Sequence, residues 1–153
     1  MKKIKLSGKK GRGKFAIVDD EDFDRLNKYK WYFGRGYALR CEKRKPYQKG
    51  RGVLNYFGDK VVDHINGDGL DNRKNNLRIV TRQQNRFNSK TPITSASGYK
   101  GISWRKNRSS WSIYITVSGK TLYIGSSRNL EDAKNKYNEA AKKYVGKFAR
   151  LHL

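Results

Sequence analysis

The stretch Val61–Asn88 reads VVDHINGDGLDNRKNNLRIVTRQQNRFN, and the prediction of the fold starts from it. It begins with a short apolar run that ends in Asp63 and His64, and a loop rich in glycine, asparagine and aspartate follows. A second apolar run, Leu77–Val80, comes next, and Thr81 then opens a helix-like segment. The stretch therefore predicts a strand, a loop, a strand and a helix.

The first strand of this stretch ends in residues suited to phosphodiester hydrolysis. Neighbouring residues on a strand point to opposite faces, so Asp63 and His64 serve one site only if the strand ends or bends there. The turn-forming residues Asn66–Gly69, which we interpret as a surface loop, permit that bend. A neutral imidazole accepts a proton from water near its ordinary pKa of about 6.5, which makes His64 the candidate general base.

Oxygen-bearing side chains of the same stretch suit a hard divalent cation. Magnesium commonly binds one or two protein oxygens together with waters and substrate phosphates. Asp63 supplies a carboxylate oxygen and Asn85 an amide oxygen. Asn76 is expected to hold the loop or backbone that aims His64. We therefore expect one divalent cation, Mg²⁺ first and Mn²⁺ as the alternative, on Asp63 and Asn85, with His64 and Asn76 as catalytic residues.

Asp63-His64, Asn76-Leu77 and Asn85 agree in order and spacing with the HNH nuclease motif, and the stretch resembles that motif in its phage and intron-encoded form. The resemblance implies a ββα fold around one metal ion. It also implies that Asp63 and Asn85 are metal ligands, that His64 is the general base and that Asn76 orients it.

Several basic and polar residues near the motif have two interpretations, and the sequence leaves both open. Asp71, Asn72 and Arg73 either build the loop or contact phosphate. A second set of side chains either clamps phosphate near the metal or forms a solvated basic face; these are Arg78, Arg82 and Arg86.

Composition restricts the partners and the compartment. The chain has 153 residues and a formal charge of +23, from 36 Lys and Arg against 13 Asp and Glu, so it is expected to bind a polyanion. The single cysteine, Cys41, excludes a disulfide framework and a cysteine-based zinc site within one chain. No apolar run is long enough for a membrane span, and the N-terminus lacks the apolar run of a signal peptide, so we expect no membrane partner. The cytoplasm is the expected location, that of a bacterial host cell if a phage encodes the protein.

The chain is expected to form an α+β protein of small modules, because only 35% of its residues are hydrophobic. Residues 1–57 form a β-rich segment with a small mixed sheet, within which Arg40–Arg51 is a basic, flexible run placed along a phosphate backbone. Residues 58–90 form the ββα-metal nuclease core. Residues 91–98 are a polar linker, and residues 99–153 form a second unit.

In residues 99–153, three strand-like runs precede a helix, which predicts a three-stranded antiparallel sheet packed on one helix. The strands are expected over Lys100–Arg105, Trp111–Val117 and Lys120–Gly125, and the helix over Leu130–Val145. Alternation assigns one sheet face to the core, with Ile102, Trp111, Ile113, Ile115, Leu122 and Ile124. The opposite face is polar, aromatic and basic, and it carries Lys100, Ser103, Arg105, Ser112, Tyr114, Thr116, Thr121 and Tyr123.

This unit resembles the Apetala-two, or ethylene-response-factor-like, DNA-binding domain. The residues that carry the resemblance are Ser97–Ile102, Trp111, Tyr123–Gly125, Ala133, Tyr137, Ala140-Ala141 and Gly146. The resemblance implies that the sheet binds duplex DNA through Lys100, Ser103, Arg105, Tyr114, Thr116 and Tyr123. For Tyr114 and Tyr123, ordinary cross-strand packing is an equal alternative.

Together these features predict a homing-type endonuclease that binds double-stranded DNA as a monomer or homodimer and hydrolyses a phosphodiester bond. One alternative is a DNA-binding regulator with an inactive nuclease module. Another is an RNA-binding protein, since charge alone does not distinguish the two polyanions.

Overall fold

A computed structural model of the chain describes residues 1–42, 45–89 and 97–152. It confirms the α+β class, and it divides into two compact units, Met1–Thr81 and Arg82–Leu153. Most of the predicted linker, residues 91–96, lies outside the described residues.

The first unit contains seven short strands and two helices in the described residues, arranged as three small antiparallel sheets, β1-β2, β3-β4-β5 and β6-β7. A single parallel bridge between Ser7 and Tyr32 joins the first two sheets, where the sequence predicts one mixed sheet. The elements are β1 Lys2–Lys5, β2 Phe15–Val18, α1 Asp20–Asn27, β3 Tyr32–Gly34, β4 Tyr37–Glu42, β5 Lys45–Gln48, α2 Lys49–Val53, β6 Val61–His64 and β7 Leu77–Val80.

One hydrophobic core connects the N-terminal segment to the strands of the nuclease motif. Val18 of β2 and Trp31 are almost fully buried, and Val62 of β6 and Leu77 of β7 belong to the same cluster. The indole of Trp31 donates to the carbonyl of Leu26 at 2.8 Å, which satisfies its one polar atom inside the core. The N-terminal segment therefore packs against the β6–β7 hairpin through this shared core.

The expectation that Arg40–Arg51 is flexible is wrong for the described part of that run, which continues β4 and forms β5 and α2. The guanidinium of Arg40 lies 4.0 Å from the ring centroid of Tyr29 and 4.7 Å from that of Tyr47. Lys49 is 0% exposed, with Nζ 4.4 Å from the ring centroid of Trp31. Cation–π contacts and the long apolar stems of these side chains explain why basic residues are packed here.

The second unit contains α3 Arg82–Asn88, β8 Ile102–Arg105, β9 Ser110–Val117, β10 Lys120–Ser127 and α4 Leu130–Val145. The strands form an antiparallel sheet with the order β10-β9-β8. The side chain of Asn129 caps α4 by accepting from the backbone N–H groups of Glu131 and Asp132, and Gly146 ends the helix with a positive φ of 61°. Ala133, Tyr137 and Ala141 of α4 share a core with Ile102, Ile113 and Ile115 of the sheet.

Three positions in this unit differ from the expectation. Lys100 precedes β8 rather than lying on it, because Gly101 has a φ of 75° and the strand begins only at Ile102. Leu122 is 36% exposed although it was assigned to the core, since alternation identifies the face of a side chain but not how far the covering helix reaches. Ser112 is 2% exposed although it was assigned to the open face, because a small side chain on a central strand is covered by its larger neighbours.

Candidate active site and nucleic-acid interface

The β6–β7 hairpin places Asp63 and His64 at the last two positions of β6. In the antiparallel register Asp63 lies opposite Arg78 and His64 lies opposite Leu77. Asp63 is 6% exposed and His64 is 5% exposed, so both functional groups lie in a largely desolvated setting. The strand ends at His64, as the assignment of both residues to one site requires.

The imidazole of His64 contacts the side chain of Asn72 in the following loop. Its Nε2 lies 3.3 Å from Oδ1 of Asn72, and the ring centroid lies 5.6 Å from that of Tyr37. Burial lowers the pKa of His64 below its ordinary value, although the hydrogen bond with Asn72 and the charges of Asp63, Asp68 and Asp71 oppose this effect. The ring is therefore neutral at pH 7, which is the form that accepts a proton.

Asn76 holds the loop that follows His64. Its Oδ1 accepts from the backbone N–H of Asn66 at 3.0 Å, and its Nδ2 donates to Oδ1 of Asn66 at 3.0 Å and to the carbonyl of Asp71 at 2.8 Å. The backbone N–H of Ile65 also donates to the carbonyl of Asn76, at 2.9 Å. These bonds fix the chain on both sides of the loop, next to His64.

The acidic part of this loop is neutralised internally. Asp71 is 3% exposed and accepts from Nε and Nη2 of Arg73 at 2.8 and 2.7 Å, and also from Nδ2 of Asn66 at 3.0 Å. The hydrogen bond from Arg73 holds the pKa of the Asp71 carboxyl below its usual range. Asp71 and Arg73 thus contribute to the internal bonding of the loop.

Asp63 is ion-paired across the hairpin. Its Oδ2 accepts from Nε of Arg78 at 2.9 Å and from Nη2 of Arg78 at 2.8 Å. Arg78, one of the candidate phosphate clamps, therefore contacts the candidate metal ligand.

Asp63 offers a carboxylate, the kind of oxygen ligand that a hard cation binds together with water and substrate ligands. The described residues contain no group of three or more His, Cys, Asp or Glu side chains with metal-site geometry. Oxygen ligands such as this carboxylate suit Mg²⁺ better than a metal that needs several nitrogen or sulfur ligands. Asn85, the candidate amide ligand, lies on α3 at the start of the second unit and is half-buried.

A basic cavity of about 630 Å³ lies within the second unit. Its lining includes Arg82 and Arg86, which are exposed on α3, together with Lys100 and Thr116. The Nζ of Lys100 donates to the backbone carbonyl of Arg86, and to Oγ of Ser89 at 3.1 Å. Burial, and secondarily the charge of Arg86, lower the pKa of Lys100. Five candidate DNA-binding residues thus line this cavity, namely Arg82, Arg86, Lys100, Tyr114 and Thr116.

The sheet face away from α4 carries three further candidates that do not line the cavity, Ser103, Arg105 and Tyr123. The rings of Tyr114 and Tyr123 lie 5.4 Å apart, and Nη2 of Arg105 lies 3.5 Å from the hydroxyl of Tyr114. The hydrogen bond from Arg105 lowers the pKa of Tyr114. Ser103 and Thr116 are exposed, and Tyr123 is 53% exposed. The face is open, and its tyrosines also pack across the strands.

Sequence reasoning did not identify two contacts in the site. Hairpin register could have revealed the pairing of Asp63 with Arg78, since the two strands pair from Val61 with Val80 onwards. The contact of Asn72 with His64 spans eight residues of irregular loop, where no periodicity indicates which side chain turns inward.

Known proteins are similar to this chain in sequence. Residues 54–87 match the family model described as HNH endonuclease. An uncharacterized HNH endonuclease of Acanthamoeba polyphaga mimivirus is 33% identical, in an alignment that covers 92% of this chain and 75% of that protein. Protein 3.8 of Escherichia phage T7 is 36% identical over 59% of this chain and 74% of its own length.

No solved structure matches the chain. No helix in the described residues is long and apolar enough to cross a membrane. The family match spans the β6–β7 hairpin and α3. The mimivirus relative is 33% identical and is covered to 75% of its length, which is enough to assign the family. The chain belongs to the HNH endonuclease family, and it is a nuclease.

Proposed function

We propose that the protein is a homing-type DNA endonuclease that hydrolyses a phosphodiester bond of duplex DNA with one divalent cation, Mg²⁺, and His64 as the general base. The observation that carries this proposal is the pair Asp63 and His64 at the buried end of β6, with the ring of His64 held by Asn72. A carboxylate that can bind a cation and a neutral imidazole that can accept a proton are therefore adjacent in sequence.

In the proposed reaction, His64 removes a proton from water while the water oxygen forms a bond to phosphorus. The bond between phosphorus and the 3′ oxygen breaks, and the leaving oxygen takes a proton from solvent. The products carry a 5′-phosphate and a 3′-hydroxyl, which follows the resemblance to the family. General-base assistance of this kind contributes about 10²- to 10⁴-fold to the rate.

Asp63 and Asn85 are the proposed ligands of the cation. HNH nucleases generally use a divalent metal ion. When bound, such an ion would neutralise charge on the phosphate and stabilise the leaving oxygen. The role of Asp63 is to present a carboxylate that Arg78 already holds in one orientation.

The second unit is proposed to bind the DNA, with an Apetala-two-like sheet. Support comes from the formal charge of +23 and from the open sheet face with Arg105 and Tyr123. The basic cavity with Arg82, Arg86 and Lys100 adds three cationic side chains to the same unit. A single active site cuts one strand, so double-strand cleavage requires a homodimer or two sequential nicks.

A plasmid-nicking assay tests this function. Supercoiled plasmid should convert to the open circle with Mg²⁺ and remain intact with a chelator. Competition between duplex DNA and RNA at one fixed salt concentration identifies the preferred polyanion, because binding constants change steeply with salt. Plasmid that stays supercoiled with Mg²⁺ and with Mn²⁺ would contradict the nuclease proposal for DNA.

One observation favours a second candidate, a DNA-binding regulator whose nuclease module is inactive. The carboxylate of Asp63 is already engaged by Arg78, so a cation competes with a charged partner. The same assay separates the two candidates, because a regulator would shift the plasmid in a gel without nicking it.

A further inference from the structure

We propose that the basic cavity of the second unit is a binding site for a single nucleotide. The phosphate would lie against Arg82, Arg86 and Lys100. The base would stack on the rings of Phe87 and Tyr114. The nucleotide is either a free 5′-mononucleotide or one that projects from a bound strand, and the inference rests on the proposed function only for the second source.

The charge of the cavity lining points to an anionic ligand. In the part of the chain that the structure describes, the lining contains three cationic side chains and no aspartate or glutamate. Burial lowers the pKa of Lys100, and the charge of Arg86 lowers it further, so these two cations repel each other. An anion bound between them would remove this repulsion.

Lys100 is held in a position from which it can contact such an anion. Its Nζ donates to the backbone carbonyl of Arg86 and, at 3.1 Å, to Oγ of Ser89. The hydroxyl of Ser89 donates in turn to the carbonyl of Arg86 at 2.7 Å. An ammonium group has three N–H donors, and its bonds to the described residues use two of them. The third can donate to a phosphate oxygen while the other two keep hold of α3.

The size and the aromatic lining of the cavity favour a nucleotide over a bare phosphate ion. The volume of about 630 Å³ lies within the range of roughly 300–1,000 Å³ that is usual for small-molecule sites. Phe87 and Tyr114 are half-buried, so each ring is accessible to a ligand. Aromatic rings stack on any nucleobase, whereas a phosphate ion would leave this part of the lining without a partner.

The cavity is accessible from the open sheet face. Tyr114 lies on that face together with Thr116, which is exposed. Gly119, in the turn between β9 and β10, also lines the cavity, and a Cβ on it would meet no atom within 4 Å. A strand on this face can therefore place an unpaired nucleotide in the cavity. A fully paired duplex keeps its bases in the stack and offers only phosphates.

Binding of a mononucleotide to the full chain tests the site. Isothermal titration calorimetry at one fixed salt concentration compares 2′-deoxyadenosine 5′-monophosphate with 2′-deoxyadenosine and with inorganic phosphate. The mononucleotide should bind at least about 10-fold more tightly than either fragment, because it uses both the cations and the rings. Equal affinity for inorganic phosphate and for the mononucleotide would overturn the inference, since the rings would then contribute nothing.

Variants test whether the lining residues hold the mononucleotide. Arg86→Gln should weaken its binding about 10-fold, and Arg82→Gln is a second exposed position where the same loss is expected. Phe87→Leu should weaken it by a similar factor and leave the binding of inorganic phosphate unchanged. The matched control is Arg128→Gln, which removes the same charge from an exposed residue outside the lining and should change affinity by less than about 2-fold. Equal losses for the cavity arginines and for Arg128 would overturn the inference in favour of attraction by net charge.

A duplex with a one-nucleotide bulge distinguishes the two sources of the nucleotide. If the strand supplies it, the protein should bind the bulged duplex about 10-fold more tightly than a fully paired duplex, and Phe87→Leu should abolish this preference. Binding of the mononucleotide without a preference for the bulge would support the inference and identify a free nucleotide as the ligand. The absence of both would overturn it.

Plasmid nicking separates this inference from the proposed function. A protein that nicks plasmid DNA but shows neither mononucleotide binding nor a preference for the bulge contradicts the nucleotide site alone. A protein that binds the mononucleotide in the cavity but leaves the plasmid supercoiled supports the nucleotide site and contradicts the proposed DNA endonuclease.

Discussion

Arg78 donates from Nε and Nη2 to the same carboxylate oxygen of Asp63, at 2.9 and 2.8 Å, across the β6–β7 hairpin. The side chains are 17% and 7% exposed, so the charges compensate each other away from most of the solvent. The candidate metal ligand is therefore fixed in orientation by the protein itself. A buried carboxylate without a partner would be costly, and this pair avoids that cost.

Replacing Arg78 by Ala is expected to lower the free energy of unfolding of the first unit by about 3 kcal/mol, because it removes the cation that pairs with the buried carboxylate of Asp63 across the hairpin. Urea unfolding measures the change. The matched control is Lys136→Ala, whose partner Asp132 is 48% exposed, and it should cost less than about 1 kcal/mol. Equal effects of the two substitutions would show that the buried pair does not stabilise the fold.

Replacing Lys49 by Met is expected to stabilise the protein most at acidic and neutral pH. Burial lowers the pKa of Lys49 from 10.5 to about 7, and Nζ has no hydrogen-bond partner within the described part of the chain. Below pH 7 the folded protein holds a buried ammonium, and Met removes that cost.

The sign of the pH effect follows from proton binding. Between pH 7 and 10.5 the unfolded chain binds the Lys49 proton and the folded protein does not, so wild-type stability rises with pH in that window. The advantage of Lys49→Met should shrink by about 1.4 kcal/mol per pH unit there. Urea unfolding at several pH values measures the gap, and a gap that stays constant from pH 6 to 10 would contradict the buried-ammonium interpretation.

Gly101 and Gly119 provide a matched pair for the second unit. Both have positive φ, 75° and 78°, but a Cβ on Gly101 would lie 2.3 Å from the carbonyl oxygen of Tyr114 and 2.4 Å from the ring of Tyr137, whereas Gly119 faces open space. Gly119→Ala should cost about 1 kcal/mol from backbone strain alone. Gly101→Ala should cost at least about 2 kcal/mol more, because it also displaces core contacts. Thermal unfolding measures both, and similar melting temperatures would contradict this packing.

Arg105→Ala is expected to weaken duplex DNA binding and to reduce the slope of log affinity against log salt by about 1, because it removes one cation from the open sheet face. The control is Lys142→Ala, an exposed residue of α4 that follows buried Ala141. It removes the same charge from the helix side of the unit. Fluorescence anisotropy across a salt series measures the slopes, and equal losses for both variants would indicate binding by net charge alone.

Periodicity and turn chemistry were sufficient to predict much of the fold. β9, at Ser110–Val117, contains the predicted strand Trp111–Val117, and α4 spans the predicted Leu130–Val145. The polar residues Asp63 and His64 lie where the apolar run of β6 ends. These signals are local in sequence, so they can be recognised without knowledge of the tertiary contacts.

Contacts between distant elements could not be predicted in the same way. Lys49 and Arg40 were expected in a flexible basic run, but aromatic rings distant in sequence pack against them. The inward turn of Asn72 depends on β2 and α2, which lie far from it in sequence. Hydrophobic pattern therefore located the site, and side-chain packing decided how His64 is held.

Cleavage by His64→Ala, measured on supercoiled plasmid with Mg²⁺ and compared with its binding to the same DNA, tests the general-base assignment most directly. The variant is expected to bind duplex DNA as tightly as the wild-type protein, because the imidazole lies at the end of β6 and not on the open sheet face. Its nicking rate should fall by about 10²-fold or more. Nicking at the wild-type rate, with His64 absent, would contradict the assignment of His64 as the residue that activates water.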